Sequence, residues 1–203
     1  MIGLAGAHRT GKTTLARLYA DASGLEFAET SSSKVFEELG LDPKVDYDFG
    51  TRLKVQNAIL DAAVEVYKSF DCEVITDRTP MDMLGYTMAD ITRSGIKSEH
   101  YDDFMAYQKR CYEISNQYFA MICVIQPGIK LIDEEGKAPA DIGYIEHLNA
   151  LIKGLILDEQ YAGAKYNFKR QMTDLQERML TLDRITNRVI LSAEAQSAQA
   201  VHH

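Results

Sequence analysis

The sequence predicts a three-layer α/β/α protein with a parallel sheet, and three observations carry that reading. Residues Gly6-Ala7-His8-Arg9-Thr10-Gly11-Lys12-Thr13 spell G-x-x-x-x-G-K-T directly after a short apolar start. Apolar segments of strand length alternate with longer segments whose apolar residues recur at helical spacing. Apolar residues make up 46% of the 203 positions and charged residues 26%, the balance of a soluble globular domain with an ample core. Strands separated by helices call for a parallel sheet covered on both faces.

Each element follows in order. Met1 to Ala5 reads as a buried strand, and a helix runs from the glycine-rich turn to about Ser23. Leu25 to Ala28 is a second strand, after which the polar run Glu29-Thr30-Ser31-Ser32-Ser33 is suited to capping the next helix. Asp46 to Phe70 carries a long helical pattern with Leu53, Leu60, Val64 and Tyr67 on it. Cys72 to Thr76 is a third strand that runs into Asp77-Arg78-Thr79-Pro80. Ser98 to Tyr118 is helical, and Phe119 to Ile125 is the clearest buried strand, closed by Pro127. Residues 128–141 are polar and acidic and read as a mobile lid loop. Helical patterns at Gly143 to Asp158 and Thr173 to Leu191 flank a weak strand at Lys165 to Lys169, and the tail Ser192 to Ala200 either extends the last helix or frays. No repeat or linker divides the chain, so residues 1–203 are expected to form one domain.

The glycine-rich turn has a chemical reading at every position. Gly6 and Gly11 let successive backbone N–H groups line one concavity, with Ala7, His8, Arg9 and Thr10 between them. Lys12 supplies a cation for the β- and γ-phosphates, and Thr13 offers a hydroxyl to Mg²⁺. Thr14 opens the following helix, whose positive N-terminal end faces the same phosphates. The turn is therefore a P-loop, and the chain is expected to bind a nucleoside triphosphate, with ATP and Mg²⁺ as its cofactors.

Asp77 and Arg78 leave the third strand together at the sheet edge where open α/β sheets bind ligands. Asp77 suits Mg²⁺, and Arg78 suits a phosphate or the phosphoryl group in transfer. Glu29 lies past the second strand at that same edge, where a carboxylate can take a proton from a hydroxyl acceptor. Arg52 and Gln56 are four residues apart on one helix face, and the Gln56 amide suits the edge of a pyrimidine ring. Lys137, with Lys130, is the candidate lid cation. Arg170 and Gln171 follow the last strand and are weak candidates for an adenine-side loop.

Net charge narrows the partners. At −8 the surface as a whole does not advertise nucleic-acid binding. No apolar run approaches a membrane span and no leader pattern opens the chain, so no membrane partner is expected. The three cysteines are scattered without a CxxC pair, which fits a reducing cytoplasm better than a disulfide framework.

A P-loop on the first strand, an acidic residue after the second and Asp77-Arg78 after the third resemble the thymidylate kinase and deoxynucleoside kinase group of P-loop kinases. Order and spacing are also similar to the nicotinamide-riboside-kinase-like P-loop proteins, including the Pro127 loop with its later Glu-Gly-Lys. The resemblance covers most of the chain and implies a P-loop kinase fold with a short lid. It implies γ-phosphate transfer from ATP to a nucleoside- or nucleotide-type acceptor, with a hydroxyl preferred and Glu29 as base. A possible homodimer goes with it. Three departures stand out: Thr30 replaces a common proline, Lys137 replaces a usual lid arginine, and Asp133-Glu134-Glu135-Gly136 makes the lid acidic. The opening residues GLAGAHRTGKTTLA also resemble phage kinases that phosphorylate 5-hydroxymethyluracil in DNA, an alternative acceptor in a host cytoplasm. A non-kinase P-loop switch is the other alternative, although the chain lacks the Asn-Lys-x-Asp guanine signature and an apolar strand ending in Asp-Glu.

Overall fold

The computed structural model describes residues 1–132 and 141–200. Five parallel strands stand in the order β2-β3-β1-β4-β5: β1 Ile2–Ala5, β2 Glu26–Phe27, β3 Val74–Thr76, β4 Met121–Val124 and β5 Ala164–Asn167. All five expected strands form; the first four are shorter than their expected segments, and β5 begins one residue before its own and ends two residues sooner. The central strand β1 pairs with β3 on one side and β4 on the other, Leu4 opposite Cys123 and Ala5 opposite Val124.

Side chains alternate across the sheet with the period of two that strands impose. Leu4, Ile75, Met121, Cys123 and Ile125 face one buried cluster, covered by α1 (Lys12–Ser23) and α7 (Leu175–Ala200). Ala5, Ile122 and Val124 face the other, which takes in α3 (Phe49–Lys68), α4 (Pro80–Ser94), α5 (Tyr101–Tyr118) and α6 (Ile142–Leu157). The short helix α2 (Ser32–Glu38) precedes α3, and a single 3-10 turn at Ser98–His100 leads into α5. The last helix does extend through the Ala/Ser/Gln-rich tail.

One helix was not expected. The sequence pattern runs the third strand into Asp77-Arg78-Thr79-Pro80 and assigns no element to residues 81–97, where α4 forms from Pro80 to Ser94. Thr79 is its N-cap, its side chain accepts from the Asp82 amide, the Asp82 carboxylate returns the contact to the Thr79 backbone, and Pro80 sits in the first turn. That reciprocal box satisfies two otherwise orphaned amides, and a proline at the first helical position sacrifices no helical bond. The signal is local: Pro80, which suits the end of a strand, here stands in the first turn of a helix.

No helix among the described residues is long and apolar enough to cross a membrane. Cys111 and Cys123 are buried thiols, and Cys72 is exposed.

Candidate active site

The buried strand β1 delivers the chain to Gly6, whose φ of 142° and close approach to β4 leave no room for a side chain. A Cβ there would lie 2.5 Å from the Ile125 carbonyl oxygen. Gly11 closes the turn at φ 86°, and Arg9 also takes the left-handed region, at φ 60°. These dihedrals wrap the loop, and glycine adopts them without the steric cost a Cβ imposes.

Polar contacts hold the wrap from beneath. The buried Asp82 carboxylate accepts from the Gly6 amide at 2.7 Å, the Thr79 amide at 2.9 Å and the Thr79 hydroxyl at 2.7 Å. Burial pushes the Asp82 carboxyl up, while Lys12 and these hydrogen bonds oppose that shift. Lys12 Nζ donates to the Gly6 carbonyl at 2.6 Å and the Ala7 carbonyl at 2.7 Å. Burial lowers the Lys12 ammonium, and the nearby Asp82 and Asp77 carboxylates counter it. The Thr10 hydroxyl donates to the Ala7 carbonyl at 3.0 Å. Arg9 reaches the Ile132 carbonyl at 2.5 Å, and the His8 amide donates to the Tyr86 hydroxyl at 3.1 Å. The His8 ring lies 6.0 Å from that of Tyr144 at the start of α6. Thr14 is exposed in the first turn of α1.

Thr13 and Asp77 meet directly: the Thr13 hydroxyl donates to the Asp77 carboxylate. The pairing of β1 with β3 makes this possible, because each residue leaves the carboxyl end of its strand or the loop that follows it. A hydroxyl and a carboxylate oxygen side by side at the phosphate loop are the hard oxygen donors that Mg²⁺ takes.

The far side of the cleft is more open. Arg78 is exposed, and its Nη1 donates to the Ser32 hydroxyl at 2.8 Å, three residues past Glu29. Glu29 Oε1 accepts from Arg17 Nη2 at 2.7 Å, and the Arg17 guanidinium lies 4.6 Å from the centre of the Phe27 ring. Arg52 and Gln56 share a pocket with Phe36, Val55, Tyr47 and Asp90. Each nitrogen of the Arg52 guanidinium makes one bond there: Nε donates to the Tyr47 carbonyl at 2.9 Å, Nη1 to Asp90 at 3.1 Å and Nη2 to Asp46 at 2.5 Å. Arg93 adds a second contact to Asp46 at 2.9 Å.

The structure thus brings Gly6, Gly11, Lys12, Thr13 and Asp77 into one site and seats Arg52 and Gln56 in a separate pocket. Lys137 lies outside the described residues, as does the acidic stretch beside it; Lys130 is exposed. Arg170 forms a two-pronged pair with Glu146 at 2.5 and 2.6 Å. Sequence reading missed Asp82, Asp90 and Arg178. Asp82 was within reach, since Thr79-x-x-Asp82 is a capping pattern. Asp90 and Arg178 carry no local signal, because Asp90 meets Arg52 and Arg178 meets Thr10, each distant in sequence.

No family model and no curated protein matches this chain. Solved structures do. Deoxyadenosine kinase from M. mycoides with bound dATP is similar at a TM-score of 0.67 and 14% identity, over 91% of this chain and 98% of that one. NadR in complex with NAD and AMP-PNP is similar at 0.56 and 15% identity, over 87% of this chain but 47% of the other. Thymidylate kinase from Ehrlichia chaffeensis gives 0.51 and 14% identity, over 91% and 97%. At such identities the likeness is one of fold: the chain has the P-loop kinase fold that deoxynucleoside and thymidylate kinases share.

Proposed function

We propose that this protein is an ATP-dependent kinase that transfers the γ-phosphate to a nucleoside- or nucleotide-type acceptor, with a hydroxyl as the attacking group. The observation that carries the reading is the placement of two sites along α4. Asp82 in its first turn holds the P-loop, and Asp90, eight residues on, lines the Arg52–Gln56 pocket. Eight residues of helix rise about 12 Å, so one rigid helix fixes the spacing between the phosphate loop and this pocket. The similar structures hold dATP in one case and AMP-PNP in another, which supports a nucleotide at this loop.

In this mechanism the P-loop amides and Lys12 bind the triphosphate, and Lys12 leaves the Gly6 and Ala7 carbonyls to meet the phosphate charge. Thr13 and Asp77 would hold Mg²⁺, which supplies neutralising charge to the phosphate oxygens when bound. Gln56 and Arg52 orient the acceptor base, while Arg78 attends the phosphoryl group. The acceptor oxygen bonds to the γ-phosphorus, the bond to the β–γ bridging oxygen breaks, and ADP leaves. The hydroxyl proton passes to Glu29, whose Oε1 is held by Arg17 so that Oε2 takes the proton. Lys137 is assigned to the lid.

The test is purified protein with Mg²⁺ and γ-labelled ATP against nucleosides, nucleotides and DNA containing 5-hydroxymethyluracil. Label on a nucleoside or nucleotide supports the reading. Label on the DNA alone replaces the acceptor, and free phosphate with no labelled acceptor replaces the kinase with a switch.

A further inference from the structure

Arg178 is the largest fully buried side chain among the described residues, with 1% of its surface exposed. It lies on α7, and no carboxylate among the described residues pairs with it. Its Nε donates to the Met172 carbonyl at 2.6 Å and its Nη1 to the Thr10 carbonyl at 2.8 Å, 168 residues away in sequence. Its Nη2 is buried without a hydrogen-bond partner. An uncompensated buried guanidinium costs several kcal/mol, so its presence beneath the phosphate loop calls for a physical reason.

The reason is in the peptide it holds. Every peptide bond among the described residues is trans, and in a trans peptide the carbonyl and the next amide point in opposite directions. Arg178 draws the Thr10 carbonyl toward α7, which turns the Gly11 amide the other way, away from the guanidinium. The contact is close-packed: a Cβ on Gly11 would lie 3.2 Å from Arg178 Nη1 and 2.9 Å from Ile129 Cδ1. The same guanidinium also ties down the segment between β5 and α7 through Met172, so one side chain fastens both walls of the nucleotide end of the cleft. Its charge lies directly behind the loop, where low dielectric strengthens its attraction for an anion in front.

We infer that Arg178 is the positioning residue of the phosphate loop: it holds the Thr10–Gly11 peptide with its amide turned to the nucleotide phosphates and thereby sets the affinity for the polyphosphate. The inference rests on the proposed nucleotide site. ADP is titrated calorimetrically into wild type, Arg178→Met and Arg178→Lys, and KM is measured for ATP and for the acceptor found above. Arg178→Met weakens ADP binding and raises the ATP KM by about tenfold to a hundredfold, the size of one or two hydrogen bonds from a charged donor. Arg178→Lys, which keeps the charge and one donor direction, falls between, and the acceptor KM stays within about twofold of wild type.

Equal ADP affinity in wild type and folded Arg178→Met overturns the assignment. Parallel losses for ATP and acceptor with a lowered melting temperature overturn it too, and make Arg178 a structural residue. A wild type that binds no ADP instead removes the nucleotide site on which the inference stands. Should neither variant fold, the wild-type Arg178 Nε–H resonance decides: a shift and slowed exchange on adding ADP support the role, and an unchanged signal refutes it.

Discussion

Beneath the phosphate loop Asp82, Lys12 and Arg178 hold backbone atoms through contacts that are buried or part-buried; on the far side of the cleft the Glu29 and Asp46 pairs are exposed and join side chain to side chain, with the part-buried Arg52 contacts to Tyr47 and Asp90 between them. Asp82 binds the Gly6 and Thr79 amides and Arg178 binds the Thr10 carbonyl out of solvent, and the Arg178 bond to the Met172 carbonyl is part-buried. Across the cleft, Glu29 meets Arg17 with side chains 67% and 49% exposed, and Asp46 meets Arg52 and Arg93 at 73% exposure. Buried contacts to backbone fix the path of the chain and are costly to break. Exposed ion pairs contribute little stability and rearrange readily. On the proposed function the nucleotide side is the preorganised one, as stabilisation of a triphosphate requires, and the acceptor side adjusts to its ligand.

Substitutions on the two sides separate the claims. Lys12→Ala has the largest expected effect: a thousandfold or greater loss of phosphoryl transfer, of the order seen when a preorganised charge partner is removed, with the unfolding midpoint little changed. Near-normal turnover would take the P-loop out of the mechanism. Asp82→Ala strands two buried amides and a hydroxyl, and is expected to cost about 3 kcal/mol in urea unfolding and to weaken ADP binding with it. A loss below about 1 kcal/mol would mean the loop is not held from beneath and would erase the contrast between the two sides.

Glu29→Gln keeps shape and polarity but cannot take a proton. On a hydroxyl acceptor it is expected to slow transfer about a hundredfold with the ATP KM unchanged. Full rate on a verified hydroxyl acceptor would return Glu29 to a surface partner of Arg17. The smallest effect belongs to the Asp46 network. The hydrogen bond from Arg52, and then the charge of Arg93, hold the Asp46 carboxyl below its usual range. A depressed folded pKa means that the contact contributes above the unfolded value of 3.8 and is lost as pH falls through the folded one. Amide-exchange protection across residues 42–48, corrected for the intrinsic rate at each pH, is expected to fall a few-fold in that acidic window, and in Asp46→Asn at neutral pH, while global unfolding stays put. Protection that is flat with pH would show that Tyr47 and Asp90 alone hold Arg52.

The elements that were legible in the sequence share a property: their causes are local. Gly6 and Gly11 announce dihedrals that other residues resist, Lys12 and Thr13 follow at fixed offsets, and strand alternation is written along each segment. The helix α4 was also written locally, in Thr79-Pro80-Met81-Asp82, and was overlooked because Pro80 fits both a strand end and a helix start. The partner of Glu29 was not legible, because Arg17 reaches it only once α1 lies beside β2. Nothing near Asp90 marks it either; its role comes from α4 crossing α3 at Arg52.

By itself the sequence determined the phosphate loop, the parallel α/β architecture and the presence of Asp77-Arg78 at a strand's carboxyl end. These follow from chirality, glycine geometry and hydrophobic period, which act over a few residues. The tertiary structure alone decided the strand order β2-β3-β1-β4-β5, the contact of Thr13 with Asp77, the grip of Asp82 on Gly6 and the reach of Arg178 to Thr10. Such contacts arise when two distant segments are desolvated against each other, and their partners are set by sheet order and helix packing, which no short stretch of chain encodes.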